Sequence, residues 1–116
     1  MNRRDETILD KMLGYCAEVE AAHQYFRDDM TLFLNPADGA IYRNAVSMPI
    51  LQIGELAKNL SEEYRAENKA IPWRYIIRTR DLFAHHYGAV DYEQLWDTSH
   101  GDIADLRAWL TRAKQG

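Results

Sequence analysis

Cysteine is nearly absent from this 116-residue chain, and the single Cys16 has no partner with which to form an internal disulfide. A reducing, cytoplasmic setting is therefore expected, with Cys16 read as a small core residue and not as a nucleophile. Long apolar runs are also missing: the longest span only a few residues, and Arg3, Arg4 and Asp5 are followed by an amphipathic segment. Neither a membrane span nor a signal peptide is predicted. There is no strand-like alternation, no repeat and no low-complexity segment. Positive charge is not in excess either. The net charge of −4 argues against non-specific coating of nucleic acid, while leaving room for a local basic site.

What remains is helical periodicity, in a chain whose length suits one domain over 1–116. Ile8, Met12, Tyr15, Val19, Ala22 and Phe26 step by four and three, which predicts an amphipathic helix over about 5–26 capped by Asn2 or Asp5. Asn35-Pro36 and Asp38-Gly39 are turn signals, and Met30, Leu32, Phe33 and Leu34 are expected to tuck a short turn against the core. A second helix is predicted over about 40–68, with Tyr42, Val46, Ile50, Ile53, Ala57, Leu60 and Tyr64 on its seam. Pro49 should kink it, and Gly54 would allow a neighbouring helix to come close. Pro72 opens a third helix expected to end near Tyr87-Gly88. Asp91 caps the last, whose seam is Tyr92, Trp96, Ser99, Ile103, Leu106 and Leu110, with Gly101 a weak point. The expected fold is all-α, an antiparallel bundle of four to five helices.

The third helix carries the chemistry. Trp73, Ile77, Arg80, Ala84 and Tyr87 share one stripe, and Arg80 is out of place among apolar residues, because a guanidinium does not leave water without a partner. It lies either at a subunit seam or cleft, the reading preferred here, or against a carboxylate. His85 is five residues from Arg80, roughly 140° around a regular helix, whereas Arg78 does share the face of His85. Both arginines are candidates for the site. Histidine can exchange protons near neutrality, and a planar guanidinium can hold two oxygens of an anion. The opposing reading is a structural trio near a helix end. Arg74 and Arg78, one turn apart, form either a basic approach to the site or a solvated face. Trp73, Trp96 and Trp109 read as core or interface anchors. No metal site is expected from His23, His85, His86 or His100, since adjacent histidines point apart and no cysteine pair supports them.

R-D-L-F-A-H-H-Y matches the Arg, four residues, His, any residue, Tyr pattern of the HEPN superfamily at Arg80, His85 and Tyr87. I-G-E-L-A-K-N-L-S-E-E at 53–63, I-P-W-R-Y-I-I at 71–77, the motif, then G-A-V-D follow the order of its HepT-like branch of small ribonuclease toxins, so that about 40–110 resembles that branch. The resemblance implies a homodimeric helical bundle acting as a metal-independent endoribonuclease without a cofactor, in the cytoplasm. It implies that His85 transfers protons, that Arg80 stabilises phosphate, and that Tyr87 orients the phosphate or the histidine through its hydroxyl. It further implies an MNT-type nucleotidyltransferase antitoxin that transfers AMP to Tyr87. Glu55 belongs to the branch's Gly-Glu pair. Asp81 stands where the branch often has asparagine, and a second histidine, His86, stands inside the motif. With Arg78, these three are possible supporting residues. The alternative function is a non-catalytic helical subunit that binds a nucleotide or positions a substrate for the nucleotidyltransferase.

Overall fold

A computed structural model describes residues 1–115, and the fold is an all-α bundle of about 44 × 27 × 20 Å. Helix α1 (Arg3–Tyr25) is capped by Asn2, whose side chain accepts from Asp5 N. A short α2 (Met30–Leu34) follows, then α3 (Ala40–Asn59), α4 (Glu62–Glu67), α5 (Trp73–His85), α6 (Tyr92–Asp97) and α7 (Ile103–Gln115). Helix α3 is the centre: α1 and α5 both pack on it, and α7 packs on α1. No helix among the described residues is long and apolar enough to cross a membrane.

The seams predicted for α1 and α3 form the core. Ile8, Met12 and Val19 meet Tyr42, Val46, Ile50, Ile53, Ala57, Leu60 and Tyr64, all buried, and Cys16 is buried with them. Burial pushes the Cys16 thiol up to about 12, so it packs as an inert apolar group. Trp73 is buried, and Trp96 and Trp109 pack half-buried against the core. Pro49 lies inside α3 without ending it.

Four expectations need correction. The helix predicted over 40–68 is two helices, because Leu60 is extended and Ser61 starts α4 by accepting from Tyr64 N. Asp5, buried in the first turn of α1, accepts from Ser61 N at 3.0 Å and Ser61 Oγ at 2.7 Å and so fixes the break. Helix α5 stops at His85, short of Gly88, and Tyr87–Ala89 form a 3-10 turn closed without a left-handed glycine. The terminal segment is interrupted by a π turn at Thr98–Asp102, which absorbs Gly101. Finally, three residues assigned to the core are exposed: Met30 at the start of α2, Ala84 on α5 and Tyr92, which covers the Arg43 guanidinium at 3.8 Å.

Arg43 was not foreseen as a core residue. Its buried guanidinium donates to the carbonyls of Phe33 at 2.6 Å, Asn35 at 2.8 Å and Pro36 at 3.3 Å, which ties the loop after α2 to α3.

Candidate active site

The approach of α5 to α3 is set by Gly54. A Cβ there would overlap Arg80 Cβ and lie 3.0 Å from the Ile76 carbonyl oxygen, so only glycine lets the two backbones come this close. Arg80 is consequently pressed against α3 with its side chain 20% exposed. Its Nε lies 2.8 Å from Glu55 Oε2, an ion pair not aligned as a hydrogen bond, and its Nη1 donates to Asp81 Oδ1 at 2.9 Å. The Asp81 hydrogen bond is the main influence raising the already high pKa of the guanidinium; burial opposes it and Glu55 adds to it. Of the two situations open for Arg80, pairing with a carboxylate is realised, twice.

Tyr87 leaves the end of α5 on the 3-10 turn and returns to α3. Its hydroxyl donates to Asn44 Oδ1 at 2.9 Å and lies 3.1 Å from Ser47 Oγ, and its ring meets Phe83 edge to face at 6.0 Å. The ring remains 40% exposed. His85 ends α5 and His86 follows as its cap; both are exposed, and neither side chain makes a hydrogen bond or ion pair among the described residues. Arg78 is likewise exposed and unpaired there.

Within one chain, therefore, Arg80 and Tyr87 both reach α3, and no hydrogen bond or ion pair joins Arg80, His85 and Tyr87 to one another among the described residues. The regular helix through His85 keeps that ring on another side of α5 from Arg80. Asn44 and Ser47 escaped sequence reasoning. Their signal was the small and polar set Asn44, Ser47, Gly54 and Glu55 beside the apolar seam, on the side of α3 on which α5 lies.

A second polar cluster lies elsewhere, between α1, α3 and the π turn. His23 Nδ1 faces the Tyr42 hydroxyl at 2.5 Å, and its Nε2 faces Ser99 Oγ at 2.9 Å. His100 Nδ1 faces the Trp96 carbonyl at 2.9 Å and its Nε2 faces Asp28 Oδ1 at 2.7 Å. The two imidazoles lie with centroids 3.9 Å apart and planes tilted by 34°. Burial, then the neighbouring His100, pushes the His23 pKa down to about 4, against the pull of Asp28. His23, Asp28 and His100 come within reach of a common metal ion, a proximity not anticipated from sequence. Every ring nitrogen already has a partner, so the cluster is a satisfied hydrogen-bond network at the edge of the core.

The all-α bundle has the architecture of small HEPN-like helical domains. A family model described as ribonuclease HepT-like matches residues 17–113, and the chain belongs to that family. A candidate RNase of Caldanaerobacter subterraneus subsp. tengcongensis is 39% identical over 54 residues, 47% of this chain and 48% of the relative. A candidate ribonuclease HepT of Thermococcus cleftensis is 40% identical over 63 residues, 54% of this chain and 57% of the relative. A candidate RNase of Methanocaldococcus jannaschii is 26% identical over 88 residues, 71% of this chain and 76% of the relative. The first two matches span about half the length of those relatives. No solved structure gives a significant match.

Proposed function

We propose that residues 1–116 act as one domain, a metal-independent endoribonuclease toxin that works as a homodimer in the cytoplasm. RNA is cleaved by its own 2′-hydroxyl: the 2′-oxygen attacks phosphorus, its proton is taken up, and the departing 5′-oxygen is protonated, which leaves a cyclic phosphate. His85 serves one proton transfer, and Arg80 neutralises charge building on the phosphoryl oxygens. One histidine does not easily serve both oxygens in one step. A second motif facing the first across a dimer supplies the other acid or base, and His86 is a supporting candidate. Asp81 and Glu55 tune the charge around the reacting phosphate, and Arg78 supports RNA binding beyond it.

Tyr87 is the residue that an MNT-type nucleotidyltransferase antitoxin modifies: its oxygen attacks the α-phosphorus of a nucleoside triphosphate, and pyrophosphate leaves. The observation that carries this reading is the position of Tyr87, half out of the protein with its hydroxyl held by Asn44 and Ser47, on the same side of α5 as Arg80. AMP there adds negative charge and bulk where RNA phosphate would bind.

The test is RNA cleavage in excess chelator by protein whose unmodified mass has been verified, beside Arg80→Ala and His85→Ala. Cleavage that survives the chelator and vanishes in both variants is expected. Absence of cleavage over several RNAs would favour the second reading, a non-catalytic subunit that binds a nucleotide or positions a substrate for the nucleotidyltransferase. That reading has its own support in the engagement of Arg80 by two carboxylates.

A further inference from the structure

Arg80 is paired with Glu55 and Asp81, and the cations of α5 that carry no partner among the described residues lie on its opposite side. Arg74 and Arg78 are exposed, and neither makes an ion pair or side-chain hydrogen bond among the described residues. At 100° per residue they fall within about 40° of each other and of His85, and at 1.5 Å per residue Arg78 lies about 10 Å along the axis from His85 and Arg74 about 6 Å further. Leu82, 38% exposed, sits between Arg78 and His85. The acidic residue of α5, Asp81, already holds Arg80, so nothing on this helix neutralises the stripe. A run of unpaired guanidinium groups leading to an exposed imidazole, on a chain of net charge −4, is a local reversal of sign aimed at a polyanion.

The geometry points to the outer face of α5 as a track for the backbone of single-stranded RNA, with Arg78 and Arg74 binding phosphates at increasing distance from the bond broken at His85. This rests on the ribonuclease reading and extends it. Arg80 acts on the phosphate that reacts, whereas Arg78 and Arg74 act on phosphates that do not, and so set how long a substrate must be. An arginine at each position contributes a phosphate contact without reading bases, so the track is indifferent to sequence and sensitive to salt.

The experiment measures binding of a fluorescent RNA oligonucleotide against salt, with cleavage of the same oligonucleotide and of a dinucleotide. The proteins are wild type, Arg74→Gln, Arg78→Gln, the double variant and Arg78→Lys, with Lys11→Gln on α1 as a control for net charge. Each Gln variant is expected to flatten the slope of log affinity against log salt by about 0.7, the double variant by about 1.4, and Arg78→Lys to restore the wild-type slope. KM should rise for the oligonucleotide and stay level for the dinucleotide. Wild-type cleavage with slopes unchanged in all Gln variants, or changed equally by Lys11→Gln, would overturn the track and leave the nuclease reading standing. Unmodified wild type that neither binds nor cleaves RNA would overturn both.

Discussion

Gly54→Ala tests the contact on which the site depends. In an open helix this change stabilises, by about 1 kcal/mol, because alanine loses less backbone entropy than glycine. At Gly54 the new methyl would meet Arg80 Cβ and the Ile76 carbonyl, atoms fixed to the α5 backbone and unable to swing aside. Helix α5 must then move as a body, and overpacking of this kind costs up to about 3 kcal/mol. The net loss is about 2 kcal/mol, or roughly 6–10 °C in melting temperature for a domain of this size. Gly14 supplies the internal standard, since it is exposed within α1 and a Cβ there meets nothing within 4 Å. Gly14→Ala should raise the melting temperature and Gly54→Ala lower it, as followed by circular dichroism at 222 nm. Equal stabilisation by both substitutions would show that α5 is not held against α3 as described.

Two other outcomes follow from the buried polar groups. The His23 imidazole titrates near 6.5 in the unfolded chain and near 4 in the folded one, so the unfolded state binds more protons between these values. Stability should hold above about pH 6.5 and fall by about 3 kcal/mol as the pH drops to 4, in urea melts; a His23→Gln variant with the same acid slope would refute the assignment. Arg43→Met removes the donor to three carbonyls, two of them within 2.8 Å, and should cost about 2–4 kcal/mol in the same melts, with near-wild-type stability counting against the buried role.

The apolar seams were readable because their spacing is local: the seam of α3 needs only the period of a helix to identify Tyr42 through Ala57 as core. Gly54 was readable for a related reason, as a missing side chain inside a continuous seam. The break at Ser61 was not, because it depends on Asp5, a carboxylate 56 positions away whose pairing no local pattern encodes. The same holds for Tyr87, whose partners Asn44 and Ser47 lie on another helix. His23 and Arg43 were overlooked since burial of a polar side chain depends on partners assembled from several segments. Periodicity did separate Arg80 from His85 correctly, and the regular α5 keeps them apart.

The bond from Asp5 to Ser61 also bears on the order of events during synthesis. The first turn of α1 leaves the ribosome early, carrying a carboxylate that is buried only when Ser61 arrives, after all of α3 has been made. Until then Asp5 lacks both Ser61 donors, so docking the first turn of α1 would bury an unpartnered carboxylate. Docking of the first turn of α1 is therefore tied to the break between α3 and α4.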